Sequence, residues 1–296
     1  LPESDETAEP AFPTAAQVLP TRPVTVEDMR ALLIDVPGVQ NAWLLPDAPR
    51  FAVDCDRSRL AFASEAPPQQ RHITLKGLFQ VLLELEPGIE EEDDQRRGAV
   101  TAAAWEVLHA NRNLCEDFTG IELVRQKKFR LCAEIEIDPD ADVDRVEARV
   151  FHAVQRFLTL PVRFYTLVQM VERGSPVDDI YDGPLLQSGF VDPDELAASQ
   201  IREEIHLSDV LQEIMNIEAV RSVDDIVLSP VGAPLPEGEN AWTIPVRTGS
   251  EPPMQPVVEP EQSRLVFYKG MLPFRADPQR RDRMLAEMTA AEAAQA

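Results

Sequence analysis

The chain has 296 residues, with 28 Lys and Arg against 52 Asp and Glu and a formal net charge of −24. That balance argues against nucleic-acid binding by phosphate neutralisation, which needs a basic patch; it fits a solvated surface or a positively charged partner. An apolar content of 44% and a charged content of 27% are ordinary for a globular protein, and no run of about 18 apolar residues offers a membrane span. Cys55, Cys115 and Cys132 are too few for a disulfide framework and point to a reducing compartment. LPESDETAEP at the start is acidic and is no export signal. A start without methionine and a stop inside an alanine-rich tail leave open whether the gene product extends beyond both ends.

In chain order, residues 1 to 23 hold five prolines and little periodicity, which predicts an extended arm. Thr25 caps a helix, with Asp28 completing the cap and Met29, Leu32, Leu33 and Val36 on its apolar face. Pro37-Gly38 stops it, and VQNAWLL reads as a strand. Residues 46 to 70 read as a hairpin and loop around RLAFA. The run at 73 to 88 reads as a strand, with Gly77 marking a bulge or a close backbone approach. An acidic run, EEEDD at 90 to 94, leads into a helix predicted over DQRRGAVTAAAWEVLHANRNLCEDF.

FRLCAEIEI at 129 to 137 alternates Leu131, Ala133, Ile135 and Ile137 with polar neighbours, the period of a half-buried strand. After the turn DPDAD, Val143, Val146, Val150, Val154 and Phe157 recur at three and four residues and predict an amphipathic helix ended by Pro161. Helices and turns follow, with Asp192-Pro193 as a helix start. SDVLQEIMNIEAVRSVDDIVLS is a second helix running directly into a strand. From Pro230 to Pro260 eight prolines suggest a wrapping segment broken by the strand-like NAWTIPVR. SRLVFYKGMLPF is a last strand and DPQRRDRMLAEMTAAEAA the start of a terminal helix.

The fold class this predicts is α+β, with helices on one face of small mixed sheets. The expected regions are an N-terminal arm over 1–24, a first α+β region over 25–128, a central β-α…α-β module over 129–229, and a wrapping segment with last strand and helix over 230–296. The first helix–strand unit also aligns with the later one at an offset of 181, matching Val26 with Leu207, Asp28 with Asp209, Leu33 with Ile214, Val36 with Ile217 and Val39 with Val220. Internal duplication explains this; so does the general likeness of amphipathic helices followed by strands, and the sequence leaves both open.

TVEDMRALLIDVPGVQNAWLL, KGLFQVLLELEPG, NRNLCEDF, the 129–158 strand and helix, GPLLQSGF and SDVLQEIMNIEAVRSVDDIVL occur in an order that resembles the baseplate J-like proteins. These are wedge subunits of contractile phage tails and related injection systems. The resemblance implies an elongated structural protein with extended arms. It implies association with a second related wedge subunit in a sixfold ring around the hub and spike, contact with sheath-proximal proteins, and transmission of the trigger to sheath contraction. It further implies assembly in the cytoplasm and a place in a phage-tail-like particle, with no cofactor, no nucleic acid and no membrane insertion.

Catalytic and metal readings are weaker. His109 and Cys115 lack the paired short spacings of a zinc site, and His152 reads as a boundary residue of its helix. EEEDD lacks the glycine turn and spaced ligands of a calcium loop. Glu84 and Glu86 alternate about Leu85, which on a strand puts two carboxylates on one face; paired carboxylates can perform hydrolysis, so a particle-borne envelope hydrolase is the alternative, and a free protein-binding module a third. Trp43, Trp105, Trp242 and Phe274, large apolar groups near element ends, are the partner-interface candidates.

Overall fold

The computed structural model describes residues 12–54, 58–62, 71–86, 89, 93–233, 242–247 and 251–293. The first eleven residues of the expected arm, Cys55, three residues of the EEEDD run and most of 234–250 lie outside them. In chain order the elements begin with a single helical turn, α1 (Ala15–Val18), inside the segment expected to be extended, then α2 (Val26–Ile34), β1 (Val39–Asp47), β2 (Arg50–Asp54), β3 (Arg59–Phe62), β4 (Arg71–Thr74), β5 (Leu78–Leu85), α3 (Asp94–Ala110) and β6 (Asp117–Leu123). Next come β7 (Arg125–Ile137), α4 (Val143–Thr159), β8 (Phe164–Tyr165), α5 (Leu167–Glu172), α6 (Val177–Ile180), β9 (Phe190–Val191) and α7 (Pro193–Ala198). The chain closes with β10 (Glu204–His206), α8 (Leu207–Met215), β11 (Val220–Pro230), β12 (Thr243–Pro245), β13 (Met254–Val258), β14 (Arg264–Lys269), β15 (Leu272–Phe274) and α9 (Pro278–Ala293). The described elements form an α+β fold of two compact units: residues 1–122 with 163–196, and residues 123–162 with 197–296.

In the first unit β5 lies between β1 and β6. Thr25 caps α2 as the sequence indicates: its side chain accepts from the Asp28 N–H, and Asp28 accepts from the Thr25 N–H at 2.9 Å. Gly77 (φ +83) allows the close approach expected of it, since a Cβ there would stand 2.2 Å from the Cys115 carbonyl oxygen. The Gly77 carbonyl accepts from Asp117 N–H at 2.9 Å, which anchors β6. Here the prediction ran too far. The helix expected through Phe118 stops at Ala110, because pairing on the open edge of β5 claims residues 117–123 as a strand.

In the second unit β7 is the central strand. It pairs antiparallel with β11 along one edge and parallel with β13 and β14, one after the other, along the opposite edge. Its alternating residues Phe129, Leu131, Ala133, Ile135 and Ile137 are buried against Val146, Val150 and Val154 of α4 and Val210 and Ile214 of α8. That is the two-layer packing of an amphipathic strand and helices. Two strands differ from expectation. SRLVFYKGMLPF splits into β14 and β15 because Gly270 (φ +64) turns the chain into a hairpin. β13 forms inside the proline-rich stretch; Pro256 is tolerated because β13 takes an edge position, where a missing N–H leaves no ladder bond broken.

The offset of 181 residues holds in structure. α2 and α8 start and end at matching positions, and so do the starts of β1 and β11. The turn bonds correspond one for one: Asp35 N–H to Ala31, Val36 to Leu33 and Val39 to Val36 match Asn216 to Gln212, Ile217 to Ile214 and Val220 to Ile217. Both strands then bulge at the same step, Val39/Asn41 and Val220/Ser222, opposite Leu85/Glu84 and Ile137/Glu136. The partner strand is followed by a 17-residue helix in each unit. The chain order is exchanged, helix–strand before strand–helix in the first unit and after it in the second. Ala219 stands where Gly38 takes φ +93, so the turns are not identical.

Phe129 is fully buried in the second core. Phe129→Ala is expected to destabilise that unit by about 3–5 kcal/mol, read as a lower denaturation midpoint with an unchanged β5-unit transition.

Candidate functional site

Each expected site residue has a definite place. Trp43 lies on β1 at 2% exposure and is part of the core. Trp105 is half-buried on α3 and meets the His109 ring edge-on at 5.0 Å between centroids. Trp242 is 66% exposed, held by its backbone where its carbonyl accepts from the Leu207 N–H at 2.9 Å. Phe274, on the edge strand β15, is 39% exposed with the Lys269 ammonium 5.5 Å from its ring centroid. Among the described residues no group of three or more His, Cys, Asp or Glu could hold a metal ion.

The pair Glu84 and Glu86 is not one. Glu84 is 5% exposed, whereas Glu86 is exposed and lies past the end of β5. Strand alternation predicts a shared face, but the strand ends at Leu85, opposite the bulge in β1, so the period does not carry through to 86. Burial pushes the Glu84 carboxyl up to about 8, and its Oε2 has no hydrogen-bond partner among the described residues. Nearby, Arg30 at 2% exposure donates from Nε to Ala42 O at 2.7 Å and from Nη1 to Leu196 O at 2.9 Å, and burial lowers its pKa.

Two charged clusters escape sequence reading. In the first unit Tyr165 Oη donates to Glu195 Oε1 at 2.7 Å, and Arg173 bonds Asp192 at 2.8 Å and Glu195 at 3.0 Å while its guanidinium sits 4.5 Å above the Tyr165 ring. Burial and the bond to Glu195 raise the Tyr165 phenol. Burial opposes ionisation of Asp192, yet the Arg173 bond and the backbone N–H groups of Glu195 and Asp194 hold its carboxyl below the usual range. Asp192 thereby both caps α7 and ties it to α5, which is more than the Asp-Pro start signal conveys.

In the second unit α9 is clamped to α4. Arg281 (6% exposed) bonds Glu147 (7% exposed) at 3.3 Å, Arg280 reaches Asp144 at 2.9 Å, and the Asp277 N–H donates to Asp144 at 2.7 Å. Burial raises the Glu147 carboxyl, with Arg281 opposing the rise. Glu147 falls within the apolar stripe of α4, one turn from both Val143 and Phe151, and Asp144 at its margin. α9, about 130 residues further on, supplies their partners.

These arrangements join elements within each unit. The class they define is an α+β protein of small open sheets carrying helices, with its polar networks spent on joining elements. Residues 125–254 match the family described as baseplate wedge Pvc12-like domain 3. In structure the chain is similar to a chain of the anti-feeding prophage baseplate, determined by cryo-EM with sixfold symmetrisation, at a TM-score of 0.58 and 20% identity over 91% of this chain. The match covers 46% of that baseplate chain, so the present chain spans less than half of its length. No curated protein matches. No described helix is long and apolar enough to cross a membrane.

Two outcomes are expected from the buried charges. Between pH 4.5 and about 8 folded Glu84 keeps a proton that the unfolded chain releases, so stability falls as pH rises through that window, by up to about 1.4 kcal/mol per pH unit. Glu84→Gln removes that slope, and its stability advantage over the wild type should widen from pH 5 to pH 8 in urea titrations. Arg281→Ala leaves Glu147 buried without its partner and is expected to cost about 3–5 kcal/mol. Limited proteolysis should then cut within α9 well before the rest of the unit.

Proposed function

We propose that this chain is a structural component of a baseplate wedge, of the baseplate J-like kind, in a contractile phage-tail-like injection particle. One observation carries the reading. The stretch that matches the wedge domain opens on Arg125, the first residue of β7, and closes on Met254, the first residue of β13. β7, β11 and the helices α4 and α8 packed on them therefore lie within it, together with residues 163–196 of the first unit, while β14 and β15 lie outside. The likeness to a baseplate chain over nearly the whole length supports the same reading.

On this proposal the chain acts mechanically. It joins a second, related wedge subunit and other baseplate components in a sixfold ring around the hub and spike, and passes the trigger outward to the sheath by switching between two packings of that ring. It is assembled in the cytoplasm with no cofactor, and no catalysis is assigned to it. Trp242 and Phe274, the exposed members of the four aromatics, are its proposed anchors in partner pockets. The hydrolase alternative loses its footing, since one carboxylate of its pair is buried and the other exposed.

Sedimentation of a lysate of the source organism tests this. The chain should pellet with sheathed tubes at about six or twelve copies per particle, and should be found at the tube end by electron microscopy. A chain that stays soluble as a small species while sheathed particles pellet without it overturns the proposal and favours the free binding module. Because the surface is strongly acidic, raising salt should slow assembly with the wedge partner.

A further inference from the structure

Residues 21–31 and 179–193 face each other in the first unit across a cleft of roughly 680 Å³, within the size range of clefts that hold ligands. Bonds between distant parts of the chain fix its walls. The Thr21 N–H donates to Gly183 O at 2.9 Å, and the Gln187 and Ser188 N–H groups donate to the two carboxylate oxygens of Asp35 at 2.6 and 2.8 Å. The Asn113 amide donates to Val24 O at 3.4 Å. Gly183 (φ +85) lies so near α2 that a Cβ there would stand 2.7 Å from Asp28 Oδ1. The stretches GPLLQSGF and NRNLCEDF thus brace one cleft.

Two properties of the lining define its occupant. Every charged side chain in it is acidic: Glu27, Asp28, Asp179 and Asp182, with no Lys, Arg or His. Asp28 is spent on the Val24 and Thr25 N–H groups. Asp179 and Asp182 are exposed and make no salt bridge among the described residues. The second property is exposed apolar surface, since Val24 and Leu185 line the same cleft at 70% and 55% exposure. The carboxylates are too dispersed to hold a metal ion, because no group of three or more ligating side chains gathers among the described residues.

We propose that this cleft receives a segment of a partner protein in which Lys or Arg side chains are interspersed with apolar ones. The cations meet Glu27, Asp179 and Asp182, and the apolar side chains cover Val24 and Leu185. Opposite charges orient the encounter, and apolar burial holds the complex. The segment docks through its side chains, because the Val24 N–H and carbonyl are already bonded to Asp28 and Asn113 and offer no strand edge. A second copy of this chain is a poor occupant, since its net charge of −24 opposes docking on an acidic surface. The inference rests on the first unit alone and stands apart from the baseplate reading.

Fluorescence anisotropy with the full chain in about 0.15 M salt tests it, using a short labelled peptide of alternating Leu and Lys. That peptide should bind saturably, and versions with Ser for Leu or Glu for Lys should bind at least about tenfold more weakly. Asp179→Lys/Asp182→Lys and Val24→Ser/Leu185→Ser should each weaken binding of the Leu-Lys peptide by at least about tenfold. Glu218→Lys/Asp224→Lys makes the same change of charge on exposed residues of the second unit and should leave binding within about twofold. Circular dichroism checks that the variants fold; Leu185→Asp, a single change at an exposed position, replaces one that does not and should lower affinity as much. No saturable binding, equal binding of the Ser-Lys peptide, or equal loss from the remote reversal would each overturn the proposal. Displacement of the peptide by spermidine at equal concentration would assign a small organic cation instead, and self-association that the cleft variants abolish would assign a second copy; either result also overturns it.

Discussion

The second unit depends on the hydrogen-bonding of β7 along both of its edges. A 13-residue strand is long enough to take β11 on one side and two successive strands, β13 and β14, on the other. With both edges paired, its backbone groups are satisfied inside the unit. The alternating side chains from Phe129 to Ile137 then have to be covered, and α4 and α8 cover them. The clamp of α9 onto Asp144 and Glu147 follows from this, since α4 is held with its acidic flank in a fixed place. Removing the strand would leave no layer for the helices to bury against.

The two units repeat one solution in different chain order. A helix running through a bonded turn into a bulged strand pairs with a strand that leads to a 17-residue helix. Connectivity differs, but the pairing register and turn bonds agree, so the arrangement is fixed by strand pairing and apolar burial and not by which piece is made first. The environments differ. Glu84 is buried in the first unit, whereas Glu136 at the matching place is half-buried. A carboxyl enclosed without a hydrogen-bond partner at one oxygen is a cost that the first unit carries and the second avoids.

For an assembly component the distribution of polar groups is informative. The buried ion pairs and capping networks join elements within a unit, while exposed apolar side chains such as Leu114, Trp242 and Met271 stand at turns and element ends. A chain this acidic repels its own copies and similarly charged partners at long range, so any stable contact has to use places where the sign reverses or where apolar burial is large.

The sequence alone determined what short-range physics controls. The capping box of Thr25 and Asp28, the alternation of 129–137, the three-and-four spacing of α4, the close approach at Gly77 and the 181-residue repeat were all legible, because each depends on neighbours within a few residues or on a pattern repeated intact. The order of motifs also carried the likeness to baseplate wedge proteins. Tertiary structure decided what distant pairing controls. It turned residues 117–123 from helix end into strand, drew β13 out of a proline-rich stretch, and gave Asp144 and Glu147 their partners on α9. It separated Glu84 from Glu86 by ending a strand one residue early, and it put Trp43 in the core while leaving Trp242 outside. In every such case the local pattern is compatible with two outcomes, and the choice belongs to a partner element far away in the chain.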